Sequence, residues 1–486
     1  MTENQGKKEN SINIIERGIA AGVVIICAGI FLSFVWNNNV WMDEAFTASL
    51  VNTDFVGVLY RSMMDTLPPL YNIYLFLMTS VFGYSITVMK ISSTIPMILT
   101  LILGMTTVRR RFGMKTAVLF DMFITFMPLM LYYGVEIRMY SLGFFFATAS
   151  GVYAYELVCD YNSKNLRFFV LFSVLAGYSH HFAFVTVGFV FLFLLLYYVF
   201  YERANVKRWV RALIYTIVFY LPCMVVTIKQ FGNVSGYFSM PDVDLHMFIQ
   251  YVLYPYIVGI TPATLLCAAV ALSAGCIALW KIVRGRKEEK MYAYALRCFT
   301  VYYGVLIFGT VISKIMTANI FVDRYLFFST GLLWLCVSIV FGKADKKIYF
   351  PVIAATLCIG ICSYIVMYRT EYSSSADEEI AVLRESVKEG DVFLGLGGHE
   401  ELECCIPFYS MVDKKTPELK VVYSLTEGLT YLSENPGNSM FIGMMPDYDF
   451  TEEDKNLINN SDSSVQMISK FEFDRYVCDF YEVKKR

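Results

Sequence analysis

Charge is scarce in this chain. Asp, Glu, Lys and Arg make up 17% of its 486 residues, against roughly a quarter in a soluble domain. With 57% of the residues hydrophobic and a mean hydropathy of +0.52, a polytopic membrane protein is the reading that follows. The charges that are present nearly cancel. A net charge of −2 excludes a broadly basic nucleic-acid binder. The twelve cysteines include no C-x-x-C pair, so neither a zinc ribbon nor a redox motif is supported. Most of them, Cys27, Cys223, Cys267 and Cys336 included, lie in or beside apolar runs and read as small packing residues. Cys404, Cys405 and Cys478 lie in a polar tail, and a disulfide from Cys478 to Cys404 or Cys405 is open there if the tail is outside the cell. No G-x-x-x-x-G-K-[ST] loop is present to hold a nucleotide. The run Gly395–Glu400 begins like a dinucleotide loop, but its sixth position is Glu400 and not glycine, so a structural turn is expected instead. No internal repeat or low-complexity block occurs.

Long apolar stretches are what the chain has. Eleven of them, near 18–36, 86–108, 116–133, 140–158, 166–181, 182–201, 209–228, 262–283, 292–315, 325–341 and 348–368, suit helices crossing about 30 Å of hydrocarbon. The first is followed by Asn37-Asn38-Asn39 and Trp41, with no small-residue cleavage site, and reads as a retained anchor. Basic clusters at Arg109–Arg111, Lys164–Arg167, Arg203–Arg211, Lys281–Lys290 and Lys343–Lys347 all fall on one side of this scheme. The positive-inside rule makes that side cytoplasmic. Pro69–Tyr84 is short and opens with a proline pair, so it is placed as an interfacial helix. The expected organisation is a cytoplasmic N-terminus over 1–17 and a membrane domain over 18–369, with a first outer loop at 36–85. Residues 370–486 would form an extracytoplasmic α/β domain. In that tail an amphipathic helix (Ile380, Leu383, Val387) precedes strand patterns at Asp391–Gly395, Val421–Tyr423 and Met440–Gly443.

With sides assigned, one face collects Asp43, Glu44, Asp65, Lys90, Glu136, Arg138, Tyr140, His180, His181, Asp242, Asp244, His246, Asp323, Arg324 and Tyr325. Asp43 and Glu44 are hemmed in by Trp36, Trp41, Met42 and Phe46, which suit a water–lipid interface better than a solvated loop. Lys90 sits about one turn inside its span, where an ammonium is costly unless it snorkels or meets an anion. Glu136 and Arg138, two residues apart, would fall on different faces of a helix. The run Asp242–His246 is expected to line a loop over the site. Adjacent His180 and His181 lack the i, i+4 spacing of a helical metal pair. A single histidine beside a carboxylate can still serve a divalent metal, so the sequence names no cofactor and leaves a metal open.

A carboxylate base on the outer face, with cations beside it, suits attack by a hydroxyl on a substrate that carries a phosphate leaving group. No nucleotide-activated donors are pooled outside the cell, so a phosphate on a membrane lipid fits best. The series Trp-x-Asp43-Glu44-Ala, Asp65-x-x-Pro68-Pro69-Leu70-Tyr71, Tyr133-x-x-Glu136-x-Arg138-x-Tyr140, His180-x-Phe182 and Arg324-Tyr325-Leu326 resembles the GT-C membrane glycosyltransferases. The resemblance is to those members related to the protein O-mannosyltransferases and lipid A aminoarabinose transferases. The resemblance covers about residues 18–340. It implies a polyprenyl-phosphate sugar donor, inversion at the anomeric carbon and a hydroxyl acceptor of the cell envelope. It also implies Asp43 as base with Glu44 as its orienting neighbour, and Lys90 at a position where arginine is commoner and its bidentate fork is lacking. Arg138 and Arg324 join Lys90 as cations for the donor phosphate. Asp65, Glu136, Tyr140, His180, His181 and Tyr325 are the candidate substrate contacts.

A transporter or flippase of lipid-linked sugars is the alternative. It would need ionisable groups along a path at mid-membrane, and only Asp121 and Glu156 depart from the one-face clustering. A purely structural scaffold would leave Lys90 unexplained.

Overall fold

A computed structural model describes residues 2–237, 243–285, 289–315, 320–396, 400–412, 419–472 and 477–486. Two compact units divide the chain. The first comprises Met1–Ser33, Leu59–Tyr71 and Ser93–Val366; the second comprises Phe34–Val58, Asn72–Ser92 and Met367–Arg486.

Apolar runs with their backbone polar groups satisfied internally are helical, as hydrocarbon demands. Among the described residues nine helices are long and apolar enough to cross a membrane: Ile15–Leu32, Ile86–Phe112, Tyr140–Cys159, His181–Tyr201, Arg203–Gln230, Thr261–Val283, Glu289–Ile315, Asp323–Gly342 and Lys346–Glu371. The other two expected segments are helical but shorter. Ser163–Ser179 has 17 residues. The stretch expected as one span over 116–133 is broken into Met114–Phe126 and Met130–Val135. Pro128 has no N–H to continue the ladder and pushes the residue before it out of the helical region. Met127 is accordingly extended, and Leu129 takes a left-handed φ of 67°. The proline-led helix, Leu70–Phe82, has 13 residues, short of a span.

Within the first unit, Phe327–Gly342 is buried along its whole length. Against it lies Tyr140–Cys159, which carries Gly143, Ala147 and Gly151 at four-residue intervals. This small-residue row lets two helix backbones approach closely. A Cβ at Gly143 would stand 2.7 Å from the Phe328 ring, and one at Gly151 would stand 2.3 Å from the Leu332 side chain. Near the C-terminal end of the same helix, buried Glu156 accepts from Arg110 Nη2 at 2.9 Å and Arg111 Nη2 at 2.8 Å.

A five-stranded sheet organises the second unit. Its strands are Val392–Leu396 (β1), Lys420–Val422 (β2), Met440–Met444 (β3), Ser463–Glu472 (β4) and Val477–Lys485 (β5), in the order β2-β1-β3-β5-β4. β1 runs parallel to both neighbours, with Phe393 opposite Val421 and Phe441. β5 is antiparallel to β3 and β4. Alternation splits the side chains between the faces. Val392, Leu394, Met440 and Ile442 pack with Leu425, Leu429 and Leu432 of the helix Leu425–Glu434. On the other face Phe441 stacks on Phe480 at 5.2 Å. The two antiparallel strands add to the three that the sequence signals; β4 places only its ends, Ser463 and Phe471, in the interior, so its hydrophobic pattern is weak. The turn expected at Gly395–Glu400 centres on residues outside the described set. Cys404, Cys405 and Cys478 are thiols. Cys405 Sγ points to the Val40 carbonyl, 3.9 Å away. Burial, with Asp479 and Glu379 acting in the same direction, pushes the Cys478 thiol up to about 12.

Candidate active site

Asp43 and Glu44 open the helix Met42–Leu50, where carboxylates favour the positive end of the helix dipole. Their environments differ. Glu44 is buried, and its Oε2 accepts the Trp41 backbone N–H at 3.1 Å, the reach-back arm of a capping box. Asp43 is half-buried at the first turn. The helix is anchored from below: Tyr84 Oη donates to the Ala48 carbonyl at 2.9 Å.

Lys90 belongs to the same unit and is 1% exposed. Its ammonium donates to the Asn37 and Asn39 carbonyls, both at 2.7 Å, and stands 5.0 Å from the centroid of the Tyr372 ring. It thereby fixes the segment that leads into the acidic helix. The same asparagines reach the tail. Asn39 donates to the Ser374 carbonyl at 3.1 Å, Asn38 donates to Asp377, and the Val40 N–H donates to Tyr409 Oη at 2.8 Å. Ser374, Ser375 and Asp377 thus form a docking strip for the first loop. No local pattern signals this, because the partners lie more than 330 residues apart.

The first unit gathers Glu136, Arg138, Tyr140, His180, Arg324 and Tyr325. Glu136 and Arg138 lie on a bend between helices, with Glu136 extended and the Arg138 N–H donating to its carbonyl at 2.7 Å. The helical-face argument therefore does not apply to them. The charges of Glu136, Arg324 and Arg138 all act on Tyr140, and both guanidiniums act on His180. His180 stacks on Phe328 at 4.5 Å and lies 4.8 Å from Tyr325. Its Nδ1 accepts the Phe182 N–H at 3.0 Å, so the proton of the neutral ring is on Nε2. That Nε2 and the Tyr140 hydroxyl are buried with no hydrogen-bond partner among the described residues. Buried polar groups are as a rule hydrogen-bonded, and these two are exceptions.

His181 faces elsewhere. Its Nε2 meets the Thr66 carbonyl at 3.3 Å, while Asp65 Oδ1 accepts the Thr66 N–H at 2.6 Å. Gln230 steadies the same loop through the Leu67 carbonyl at 2.7 Å. Asp244 caps the helix Leu245–Leu253 through the Met247 N–H; Asp242 lies outside the described residues. Tyr133 and Tyr254 are further members of the first-unit cluster, Tyr133 4.9 Å from Phe327 and Tyr254 beside it. Among the described residues no group of three or more His, Cys, Asp or Glu side chains could hold a metal ion.

No protein-family model matches the sequence, and no curated protein matches it. Solved structures do. ArnT from Cupriavidus metallidurans bound to undecaprenyl phosphate aligns over 97% of this chain and 98% of its own, with a TM-score of 0.63 at 10% identity. The chain has the GT-C fold. The apo state of ArnT from the same organism shares that fold at a TM-score of 0.59 and 11% identity, over 98% of each chain. The GT-C architecture thus takes in both the helical unit and the tail with its sheet.

Proposed function

We propose that the protein is an inverting glycosyltransferase. It takes a sugar from a polyprenyl-phosphate donor and passes it to a hydroxyl of a cell-envelope acceptor (protein, lipid or glycan) on the outer face of the membrane. What carries this reading is the fold shared with ArnT, whose structure holds undecaprenyl phosphate. Buried Arg138, half-buried Arg324 and the unsatisfied donors of Tyr140 and His180 in the first unit support it.

In the proposed reaction Asp43 accepts the proton of the acceptor hydroxyl. The oxygen attacks the anomeric carbon on the face opposite the phosphate. The carbon–oxygen bond to the phosphate breaks, and its electron pair leaves on the lipid phosphate, so the new glycosidic bond has inverted configuration. Arg138 and Arg324 neutralise the departing phosphate, for which planar forks are well shaped. Lys90 adds charge on the phosphate side and orders the loop before Asp43. Tyr140 and His180 offer hydrogen bonds to the donor, with Glu136 and Tyr325 lining its sugar, while His181 and Asp65 shape the loop beside it.

Purified protein given a short-chain polyprenyl-phosphate sugar and a panel of hydroxyl acceptors should form a product of inverted anomeric configuration, and none from the matching nucleotide sugar. Transfer from the nucleotide sugar, or retention of configuration, would overturn the reading. One observation favours a flippase: Asp121 is fully buried in a helix, with neither carboxylate oxygen hydrogen-bonded among the described residues. Movement of intact lipid-linked sugar across a vesicle, with no bond broken, would decide for it.

A further inference from the structure

A cavity opens in the first unit at the far end of the helices that carry Tyr140 and His181. Tyr140 and Val158 are about 27 Å apart along their helix at 1.5 Å per residue. The cavity contains about 490 Å³ of empty space, part of it open to the outside, and is lined by apolar side chains such as Val158 and Leu194 together with Tyr155 and Tyr197. Two cations, Lys290 and Arg297, complete the lining. Lys290 is exposed. Arg297 is half-buried, eight residues or about 12 Å into the helix Glu289–Ile315.

Arg297 lies over the rings of Tyr197 and Tyr201, at 5.5 and 5.9 Å, and forms no ion pair among the described residues. Two carboxylates at this end of the helices are already engaged. Glu156 takes Arg110 and Arg111, and Glu202 accepts from Tyr197 Oη at 2.7 Å and Asn205 at 2.9 Å. A guanidinium so deep in an apolar helix is costly unless an anion meets it. An apolar slot with a cationic mouth is complementary to a phosphate headgroup carrying a hydrocarbon tail. Basic pockets between membrane helices hold anionic lipids in this way.

We propose that this slot binds an anionic phospholipid of the cytoplasmic leaflet, its phosphate on Arg297 and Lys290 and one acyl chain between the helices. The site is separate from the candidate active site and needs no donor or acceptor to be tested. Native mass spectrometry of the full-length protein would compare phosphatidylglycerol, phosphatidylcholine of the same chains and undecaprenyl phosphate. The wild type should retain phosphatidylglycerol over phosphatidylcholine. Arg297→Gln should weaken that retention about fivefold, the worth of one cation near a lipid surface, and leave phosphatidylcholine unchanged. Val158→Trp, which fills the slot and keeps the charge, should lower retention as well, so the test does not depend on the folding of the arginine variant. Equal retention in the wild type and both variants would overturn the proposal. So would a preference for undecaprenyl phosphate that Val158→Trp abolishes, since the slot would then belong to an isoprenoid.

Discussion

At the scale of single residues, two adjacent carboxylates are set to different work by one backbone contact. Glu44 spends an oxygen on the Trp41 N–H, while Asp43 stands at the half-buried first turn of the helix. Asp43→Asn keeps size and hydrogen bonding but removes basicity, so turnover should fall by about 10²–10⁴ with the thermal midpoint unchanged. Glu44→Gln keeps an acceptor for the cap and should leave both rate and midpoint close to the wild type. Glu44→Ala should cost about 1 kcal/mol of stability. If Glu44→Gln loses as much rate as Asp43→Asn, the base is Glu44. The acidic pair was legible in the sequence because aromatic neighbours mark an interface. Lys90 was legible only as a misplaced charge. Its ties to the carbonyls of Asn37 and Asn39 depend on how the loop folds back, which no local pattern records.

Among the elements, packing controls the first-unit cluster through Gly143. The Phe328 ring occupies the space a Cβ would need and stacks in turn on His180. Gly143→Ala should therefore cost about 1–3 kcal/mol, as overpacking does, and should shift the His180 ring. A drop in thermal midpoint together with a moved imidazole signal in NMR would confirm the linkage, and an unchanged signal would sink it. Hydropathy located all eleven helical segments, since lipid-facing and buried helices alike need apolar side chains. It missed the break at Met127–Leu129, because apolar residues continue through it and only Pro128 marks the stop. The Glu136–Arg138 bend was misread for the same reason: a helical period was assumed where the backbone is extended. In the tail, β1 and β3 announced themselves as continuous apolar runs, while β4 faces outward along most of its length and left no such trace.

For the whole molecule, the five basic loops predict that residues from about 371 onward lie outside the cell. A Ser374→Cys variant should gain labelling by a membrane-impermeant thiol reagent in intact cells, relative to wild type. Labelling gained only after the cells are opened would reverse the topology and the side of the proposed chemistry. Cys478, buried in β5 with its thiol held neutral, should stay silent in the same experiment. The tie between Val40 and Tyr409 has a consequence in time. The two are 369 residues apart, and a ribosome adding roughly 5–20 residues per second takes about 20–70 s to cover that interval. For all of that period the segment before Asp43 has left the ribosome without the tyrosine that will pin it. The first loop to be made is thus among the last to be finished, and the end of translation is the moment at which the acidic helix can acquire its lasting position.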